Sequence, residues 1–243
     1  MIEWAGKRYW LVGASEGLGA ALAHKMSAAG VHLILSARSE DKLNALAASL
    51  PGKSEVVTVD VSDTESVKAA TAAVGDIDGI VQIAGVYWPF GANNWDADQA
   101  IAMADINFTG AMRLMGAVVP KFVERDAGHI VLTGSLSGFR GLPGAAAYTS
   151  SKAGVMTLAE SLYADLHKTN VRVQLVNPGF VKTRLTDKND FNMPFIMEPE
   201  DAAREFFEHM NTDAFKRSFP TLFSWVFRGS QFLPDWLYYR LFA

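Results

Sequence analysis

Tyr148 and Lys152 are the residues of this chain whose types and spacing best suit acid-base chemistry. Side chains four residues apart on a helix lie on the same face. A tyrosine phenol has an ordinary pKa of about 10, and a neighbouring ammonium lowers that pKa because it favours the phenolate. The pair is therefore predicted to transfer a proton. A solvent-exposed pair that adds only a few tenths of a kcal/mol to stability has the same spacing.

A serine upstream of this pair, Ser135, is predicted to share its site. It follows an apolar run at 130–132 and the small residues Thr133 and Gly134. Its hydroxyl is therefore expected at the carboxyl end of a strand, where open α/β sheets bind their ligands. For Tyr148 and Lys152 a catalytic role is favoured over that of a solvent-exposed pair, because the chain also contains a glycine-rich strand-to-helix turn.

The glycine-rich turn follows a short apolar run at residues 9–12. Gly13, Gly17 and Gly19 are spaced as GxxxGxG, and helix-forming residues continue to Ala29. Glycines let the backbone approach a pyrophosphate, and the N-terminus of the helix offers it unpaired N–H groups and a positive dipole end. The turn predicts a phosphate site, although turns also use glycine for conformational reasons alone.

The residues after the second apolar strand, at 32–36, bear on the choice of cofactor. Ala37 and Arg38 stand where nucleotide-binding folds carry an acid for the ribose hydroxyls or a base for a 2′-phosphate. Arg38 therefore favours NADP(H), with NAD(H) possible. Two observations keep the choice open: a loop arginine is often simply solvated, and Glu16 in the glycine turn adds a negative charge nearby.

Alternating strands and helices predict an α/β fold with a parallel doubly wound sheet. Asp60, after the third strand, is expected either to accept a hydrogen bond from an adenine amino group or to cap the helix near Ser62, and Thr183 to cap a short helix. Asn107 is expected to face solvent or to bend its helix. The remaining strands are expected at 55–59, 79–85, 130–134, 171–176 and 214–219, and further helices at 41–50, 98–124 and 148–167.

Composition argues against several classes of function. The 243 residues carry 22 basic and 26 acidic side chains, a net charge of −4, without a block of like charge that would attract nucleic acid. There is no cysteine, and none of the five histidines falls at a metal-ligand spacing. No signal-peptide pattern and no apolar run of about 18 residues is present. We therefore expect no nucleic acid, no metal and a cytoplasmic location.

Residues 220–243, here called the tail, differ from the single catalytic domain expected over 1–219. The tail is rich in Phe, Trp, Tyr and Leu, and Pro234 is predicted to divide it into two short helices. So many apolar groups are expected to be buried against something outside the nucleotide-binding core. A partner subunit is favoured, with a share in closing the substrate pocket. A membrane surface, which the tail arginines can reach by snorkelling, is second.

Together these residues resemble the short-chain dehydrogenase/reductase family in its classical form, over nearly the whole chain. The resemblance implies a Rossmann-like doubly wound sheet of about seven strands, in the order 3-2-1-4-5-6-7, with helices on both faces. The family's catalytic set matches Asn107, Ser135, Tyr148 and Lys152. The residues that match its cofactor site are Gly13, Ser15, Gly17, Leu18, Gly19, Arg38, Asp60, Val61, Ala84, Gly85, Tyr148, Lys152, Pro178, Gly179, Val181 and Thr183.

The resemblance also implies a reaction, in which an NADP(H)-dependent oxidoreductase reduces a carbonyl to an alcohol or runs the reverse. Tyr148 is expected to protonate the developing alkoxide as general acid, while Ser135 holds the carbonyl oxygen. Lys152 is expected to lower the Tyr148 pKa and to bind the nicotinamide ribose. Asn107 is expected to hold a water molecule that resupplies protons.

Three alternatives stand beside this reading: an NAD-linked alcohol dehydrogenase of the same family, a catalytically silent nucleotide-binding relative, and a membrane-surface protein that works mainly through its tail. A homodimer or homotetramer is implied by the resemblance. The substrate is expected to be an apolar small molecule. Its pocket is predicted to be lined by Trp88, Phe90, Phe139, Leu142, Phe180, Phe191, Met193, Phe195 and Met197.

Two positions depart from the family pattern. Val12 stands where the family usually has Thr, and the sequence 82–85 reads Gln-Ile-Ala-Gly where the family has a turn that contains Asn-Ala-Gly. In the family these polar groups help to tie the first strand to the fourth. The local geometry and the affinity for the adenosine half of the cofactor are therefore expected to change, without an effect on the catalytic set.

Overall fold

The computed structural model describes residues 3–242 and contains a parallel sheet of seven strands. Its strand order is 3-2-1-4-5-6-7, which confirms the predicted doubly wound, Rossmann-like topology. The strands are β1 Arg8–Val12, β2 His32–Ser36, β3 Ser54–Val56, β4 Gly79–Gln82, β5 Gly128–Thr133, β6 Val171–Pro178 and β7 Lys216–Phe219.

Helices connect the strands and cover both faces of the sheet. The helices are α1 Gly17–Ala28, α2 Glu40–Ser49, α3 Thr64–Val74, α4 Ala97–Met103, α5 Gly110–Glu124, α6 Ala146–Leu166, α7 Pro199–Met210, α8 Thr221–Ser230 and α9 Asp235–Phe242. Short 3₁₀ turns occupy Ala92–Asn94, Leu136–Gly138 and Thr186–Lys188, and a π-helical segment, Ala104–Thr109, joins α4 to α5. In the tail, α8 and α9 lie on either side of Pro234, as predicted.

Two hydrophobic clusters, one on each face, explain why the central strands contain continuous apolar runs. Trp10 and Val12 pack with α3, α5 and α6, whereas Tyr9 and Leu11 pack with α1, α2 and α7. Successive side chains of a strand point to opposite faces. Strands that are buried on both faces therefore lack the polar alternation of a half-exposed sheet.

The long helix predicted over 98–124 is interrupted, and β3 is shorter than predicted. The π-helical segment falls in the middle of that helix, and π-helical turns often occur at functional sites. β3 ends at Val56, although Val57 N and Val59 N still donate to the carbonyls of Leu35 and Ala37, both at 3.1 Å. The chain therefore follows β2 beyond the end of β3, and Asp60 lies past that end.

Backbone hydrogen bonds tie β1 to β4 where the family pattern is missing. The carbonyl of Val12 accepts from Ile83 N at 2.9 Å and from Ala84 N at 3.0 Å. The Gln82 side chain donates from Nε2 to the carbonyl of Ala84 at 2.8 Å. The turn after β4 is therefore held without a polar side chain at position 12.

A buried hydrogen-bond network near the amino end of β5 holds His129 in its neutral form. His129 Nδ1 lies 2.8 Å from the Tyr9 hydroxyl, and its Nε2 lies 2.9 Å from Gln174 Oε1. The Gln174 amide donates to three backbone carbonyls between residues 209 and 214. Its Oε1 is therefore an acceptor, and the His129 proton sits on Nε2. Burial lowers the pKa of His129 to about 3 and that of His209 to about 4.

Both depressed histidine pKa values predict a loss of stability in mild acid. Below pH 6.5, the ordinary histidine pKa, both histidines become protonated in the unfolded chain but stay neutral in the folded chain. The free energy of unfolding therefore falls as the pH drops below about 6.5. The limiting slope is about 1.4 kcal/mol per pH unit for each histidine. Urea unfolding at pH 7.5, 6.5 and 5.5 measures it, and His129→Gln should reduce the slope. A pH-independent stability over this range would contradict the assignment.

Candidate active site

The predicted catalytic residues meet at the carboxyl edge of the sheet. Ser135 follows β5 closely, Tyr148 and Lys152 lie in the first two turns of α6, and Asn107 lies in the π-helical segment. α6 packs against both the π-helical segment and the 3₁₀ turn after Ser135. Four side chains that are far apart in sequence are thereby brought to one place.

Tyr148 is half-buried at the cavity, and desolvation raises the pKa of its phenol to about 12. A hydrogen bond with Ser135 acts in the opposite direction, and the neighbouring Tyr87 raises the pKa further. The two tyrosine rings meet edge to face, with their centroids 4.9 Å apart. The phenol is therefore held in its protonated form, which is the form required of a general acid.

The pKa of Tyr148 is raised and not lowered as its spacing from Lys152 predicted, and the hydrogen bond of Lys152 is made elsewhere. Its Nζ donates to the carbonyl of Thr133 at 3.0 Å and lies 6.0 Å from the centre of the Tyr148 ring. Burial lowers the pKa of Lys152 itself to about 8. The ammonium is directed at the end of β5 and not at the phenol.

Ser135 accepts two hydrogen bonds from a serine that the sequence interpretation missed. Ser137 donates to Ser135 Oγ from its backbone N at 3.2 Å and from its hydroxyl at 2.9 Å. With both donors directed at its oxygen, the Ser135 hydroxyl keeps its own proton for an acceptor at the site. The Ser-x-Ser spacing is the signal in the sequence that could have indicated this pair.

Asn107 is fully buried, and the prediction that it faces solvent or merely bends its helix is wrong. Its Oδ1 accepts from Val86 N at 2.7 Å, and its Nδ2 donates to Val86 O and to Ser151 Oγ, both at 3.0 Å. The π-helical segment turns this side chain toward the loop after β4. Asn107 therefore fastens that loop to α6.

The glycine turn is required by close packing at each of its three glycines. A Cβ on Gly19 would lie 2.0 Å from the Gly13 carbonyl oxygen, and one on Gly13 would lie 2.4 Å from Ala84 N. Gly17 has φ +56°, and a Cβ there would lie 2.8 Å from Thr183 Cγ2. No side chain caps the N-terminus of α1, and its first turn holds no acidic residue. Its unpaired N–H groups fit the pyrophosphate of a dinucleotide.

Charged side chains at the edge of the glycine turn leave positive charge beside β2. Glu16 pairs with Lys42 at 3.0 Å and also with Arg184. Two positive side chains therefore neutralise the charge of Glu16. Arg38 is exposed and lies close enough to Asp60 to lower the pKa of that carboxyl.

Asp60 does not cap α3, which removes one of the two roles expected of it. Asp63 is the N-cap and accepts from Glu65 N at 2.8 Å. Asp60 instead accepts from Ser62 N at 2.9 Å and from Ser62 Oγ at 2.6 Å. Burial acts to raise the Asp60 pKa, but these bonds and the charge of Arg38 hold it below its ordinary value.

The other residues matched to the cofactor site lie around the glycine turn and the ends of β4 and β6. Leu18 and Val61 are buried, and Gly179 N donates to the carbonyl of Phe219 at 2.7 Å. Thr183 does not cap the short 3₁₀ turn as expected: Leu185 is at the N-cap position, and the Thr183 backbone N donates to Thr186 Oγ1 at 2.9 Å. The remaining members, at the same edge of the sheet, are Ser15, Ala84, Gly85, Pro178 and Val181.

A cavity of about 640 Å³ opens beside Tyr148 and Ser135. Most of its wall is apolar, as in small-molecule sites generally. Four of the predicted pocket residues line it: Phe90, Leu142, Phe180 and Phe191. Three phenylalanines of the tail, which were not among the predicted pocket residues, line it as well: Phe223, Phe227 and Phe242.

The other predicted pocket residues have different neighbours and do not line the cavity. Phe139 and Met197 pack against the two core clusters. The Nζ of Lys188 lies 4.7 Å from the Trp88 ring centre, and the Phe195 ring lies 5.5 Å from that of a tail phenylalanine. Met193 contacts the amide of Asn189. Sequence cannot separate these positions, because an apolar residue suits a core and a pocket equally.

Arg140 fastens the tail to the loop between Ser135 and Tyr148. Its Nη1 donates to the carbonyls of Ser230 at 2.7 Å and Leu233 at 2.8 Å, and its guanidinium lies 3.9 Å from the Tyr238 ring centre. The Tyr238 hydroxyl donates to a loop carbonyl at residue 141, at 2.6 Å. The tail is therefore built into the wall of the cavity.

Neither a metal centre nor a membrane-spanning helix is found among residues 3–242. They contain no group of three or more His, Asp or Glu side chains arranged to hold a metal ion. Within the same residues, no helix combines the length and the apolar character needed to cross a bilayer.

Comparison with known sequences identifies relatives over most of the chain. Residues 7–193 match the family model described as short chain dehydrogenase. An uncharacterized oxidoreductase of Myxococcus xanthus is 38% identical over 245 residues, which cover 98% of this chain and 97% of that protein. Another, from Staphylococcus epidermidis, is 32% identical over 197 residues, or 79% of this chain and 86% of that protein.

Comparison with solved structures gives the same fold. A short-chain dehydrogenase/reductase of Burkholderia phymatum in complex with NAD superposes with a TM-score of 0.86, at 24% identity and over 94% of both chains. A short-chain dehydrogenase of Sphingobium yanoikuyae in complex with NADPH gives 0.83, at 25% identity, over 92% of this chain and 91% of the other. From its sequence relatives and its fold together, the chain belongs to the short-chain dehydrogenase/reductase family of NAD(P)-dependent oxidoreductases.

Proposed function

We propose that this oxidoreductase uses NADPH to reduce the carbonyl group of an apolar small molecule to an alcohol. The observation that carries the proposal is the position of Tyr148 and Ser135 at an apolar cavity of about 640 Å³. Incubation with NADPH and a panel of apolar aldehydes and ketones tests it, with loss of nicotinamide absorbance as the signal. The same panel with NAD and alcohols tests the oxidative direction.

The proposed chemistry assigns one task to each catalytic side chain. The bound cofactor supplies the hydride. The Ser135 hydroxyl donates a hydrogen bond to the carbonyl oxygen and keeps its proton, while Tyr148 as general acid transfers its phenolic proton to the developing alkoxide. At neutral pH a phenol with a pKa of about 12 is protonated, and an ammonium with a pKa of about 8 is largely charged.

Two further side chains are proposed to support this chemistry. Lys152 contributes its positive charge beside the site and binds the nicotinamide ribose, a role carried over from the family resemblance. Asn107 holds the loop after β4 through its three hydrogen bonds. We infer that it positions the site, and that a proton-supplying water lies beside the backbone it anchors.

The cofactor is proposed to lie along the glycine turn, with the pyrophosphate at the N-terminus of α1. The close packing of Gly13, Gly17 and Gly19 and the uncapped helix support this position. The other residues proposed to line the cofactor site are Ser15, Leu18, Arg38, Asp60, Val61, Ala84, Gly85, Pro178, Gly179, Val181 and Thr183.

NADPH is favoured over NADH because the acid of the glycine turn is neutralised. Glu16 is balanced by Lys42 and Arg184, whereas Arg38 remains exposed beside Asp60. A guanidinium in this position suits the 2′-phosphate that distinguishes NADPH. Among solved structures of similar fold, one is a complex with NAD and another with NADPH.

Arg38→Ala is expected to weaken NADPH binding about ten- to a hundredfold, because it removes a hydrogen bond between charged groups. NADH binding should change by less than about twofold, since that cofactor lacks the 2′-phosphate. Fluorescence titration with both cofactors measures the effect, with Arg204→Ala on the outer helix α7 as the control. Equal losses for both cofactors, or a wild-type preference for NADH, would favour the NAD-linked alternative.

The family generally assembles into oligomers, and we propose a homodimer or homotetramer through the faces of α4, α5 and α6. Ile101, Met112 and Tyr163 leave exposed apolar surface on these helices. Residues 1–219 are proposed to form one catalytic domain, with 220–243 as an extension packed on it. Light scattering of the full chain measures the mass of the assembly.

A further inference from the structure

The two tail helices have apolar groups on both of their faces. The inner face supplies three phenylalanines to the wall of the cavity. The outer face, as we call the opposite side, is exposed: Phe232, between the helices, is 90% exposed and Trp236 is 70% exposed. The apolar members of the outer face are Leu222, Trp225, Val226, Phe232, Trp236, Tyr239 and Leu241. An exposed apolar surface of this size normally marks an interaction site.

The charges beside the outer face are positive. Arg228 and Arg240 are exposed, and neither pairs with a carboxylate anywhere in residues 3–242. Asp235, the acid of these two helices, is already paired with Arg140 at 2.5 Å. Aromatic side chains with arginines at their margin match the boundary between lipid headgroups and acyl chains. Anionic headgroups attract such arginines most strongly.

A bilayer surface suits the outer face better than a second copy of the chain does. A two-fold contact places the same surface on both partners. Four arginines would then enter one interface, and its acid, Asp235, would already be paired in each copy. Helices of 10 and 8 residues are too short to span a bilayer but can lie along its surface.

We propose that the outer face of the tail docks on an anionic bilayer surface, and that the cavity behind it receives an apolar aldehyde or ketone dissolved in that bilayer. The substrate part of this inference rests on the proposed carbonyl reduction. The helices that would contact lipid also form part of the cavity wall. An apolar substrate could therefore pass from lipid to Tyr148 with little exposure to water.

Flotation of the full chain with lipid vesicles tests the docking. Vesicles of phosphatidylcholine with phosphatidylglycerol should bind the wild type at least about tenfold more tightly than phosphatidylcholine alone at low salt, and high salt should reduce the difference. The double variant Phe232→Ser/Trp236→Ser should lose at least about tenfold in partitioning, because it removes two large apolar groups from the contact. Ile196→Ser is the matched control, because this exposed residue lies outside the tail, the cavity wall and the helices of the proposed subunit contact.

Two further measurements separate the outcomes. Arg228→Glu/Arg240→Glu should abolish the preference for anionic vesicles. With a water-soluble ketone, Phe232→Ser/Trp236→Ser should keep the wild-type rate, whereas with an apolar ketone supplied in vesicles it should be at least about fivefold slower.

Absence of flotation by the wild type would overturn the docking. A halved mass of Phe232→Ser/Trp236→Ser by light scattering would also overturn it and assign the outer face to a second subunit. Flotation with no turnover of any carbonyl compound would leave the docking intact and refute the proposed reaction.

Discussion

Tyr148→Phe is expected to lower the rate of carbonyl reduction by about 10² to 10⁴ fold, which is the usual contribution of a general acid. The substitution removes the phenolic hydroxyl and leaves the ring, whose contact with Tyr87 at 4.9 Å is preserved. The affinity for NADPH, measured by fluorescence titration, should therefore change little. Turnover is measured by the loss of nicotinamide absorbance with the best substrate of the panel.

A second tyrosine on the same helix provides the control. Tyr163 stacks on Phe215, with ring centres 4.2 Å apart, and is not among the residues that line the cavity. Tyr163→Phe should keep the wild-type rate. If Tyr148→Phe retains more than about a tenth of that rate, Tyr148 is not the general acid.

Gly19→Ala is expected to weaken cofactor binding by about tenfold or more, because a single methyl group meets the backbone of the glycine turn. The new Cβ would lie 2.0 Å from the Gly13 carbonyl oxygen and 3.1 Å from Ala14 Cα. Backbone atoms cannot rotate away, and the turn must therefore shift. Such overpacking typically costs about 1 to 3 kcal/mol. Titration with NADPH and urea unfolding together separate the loss of binding from the loss of stability.

Gly116→Ala is the matched control for this substitution. Gly116 lies within α5, and a Cβ there would meet no atom within 4 Å. Alanine is the better helix former, and the variant should gain up to about 1 kcal/mol in stability with unchanged cofactor affinity. If the two alanine variants bind NADPH equally well, the shape of the glycine turn does not determine the cofactor site.

The positions of the strands could be predicted because their signals are local and agree with one another, whereas the order of the strands came from the family resemblance. The central strands contain apolar runs that end in turns, and the run at β1 leads directly into Gly13. Ser135 and Tyr148 could be assigned for the same reason, since strand ends and helix starts are readable from sequence.

The conformations of single side chains could not be predicted, because tertiary packing determines them. Asn107 is turned inward by a π-helical segment, which no residue type in the sequence predicts. Lys152 has the spacing to reach Tyr148, yet it donates to the Thr133 carbonyl. Asp60 accepts a hydrogen bond from Ser62, while Asp63 is the N-cap of α3. In each case several partners were within reach, and the sequence alone does not rank them.

In the tail, too, the sequence predicted the helices but not which of their side chains face the cavity. Pro234 correctly predicted two helices, because a proline in a helix interior removes a backbone hydrogen bond and favours a break there. Which aromatic side chains face the cavity depends on Arg140, whose hydrogen bonds to Ser230 and Leu233 set how the helices lie on the loop. These hydrogen bonds join residues that are 90 and 93 positions apart in sequence.

Deuterium transfer from labelled NADPH tests the central claim most directly. The protein is incubated with NADPH deuterated at C4 of the nicotinamide, in separate reactions for each hydride face, together with apolar ketones, and the products are analysed by mass spectrometry. The account predicts an alcohol that carries one deuterium on its carbinol carbon, formed from one of the two labelled cofactors and lost with Tyr148→Phe. Absence of labelled alcohol from every ketone, with both cofactors, would contradict it.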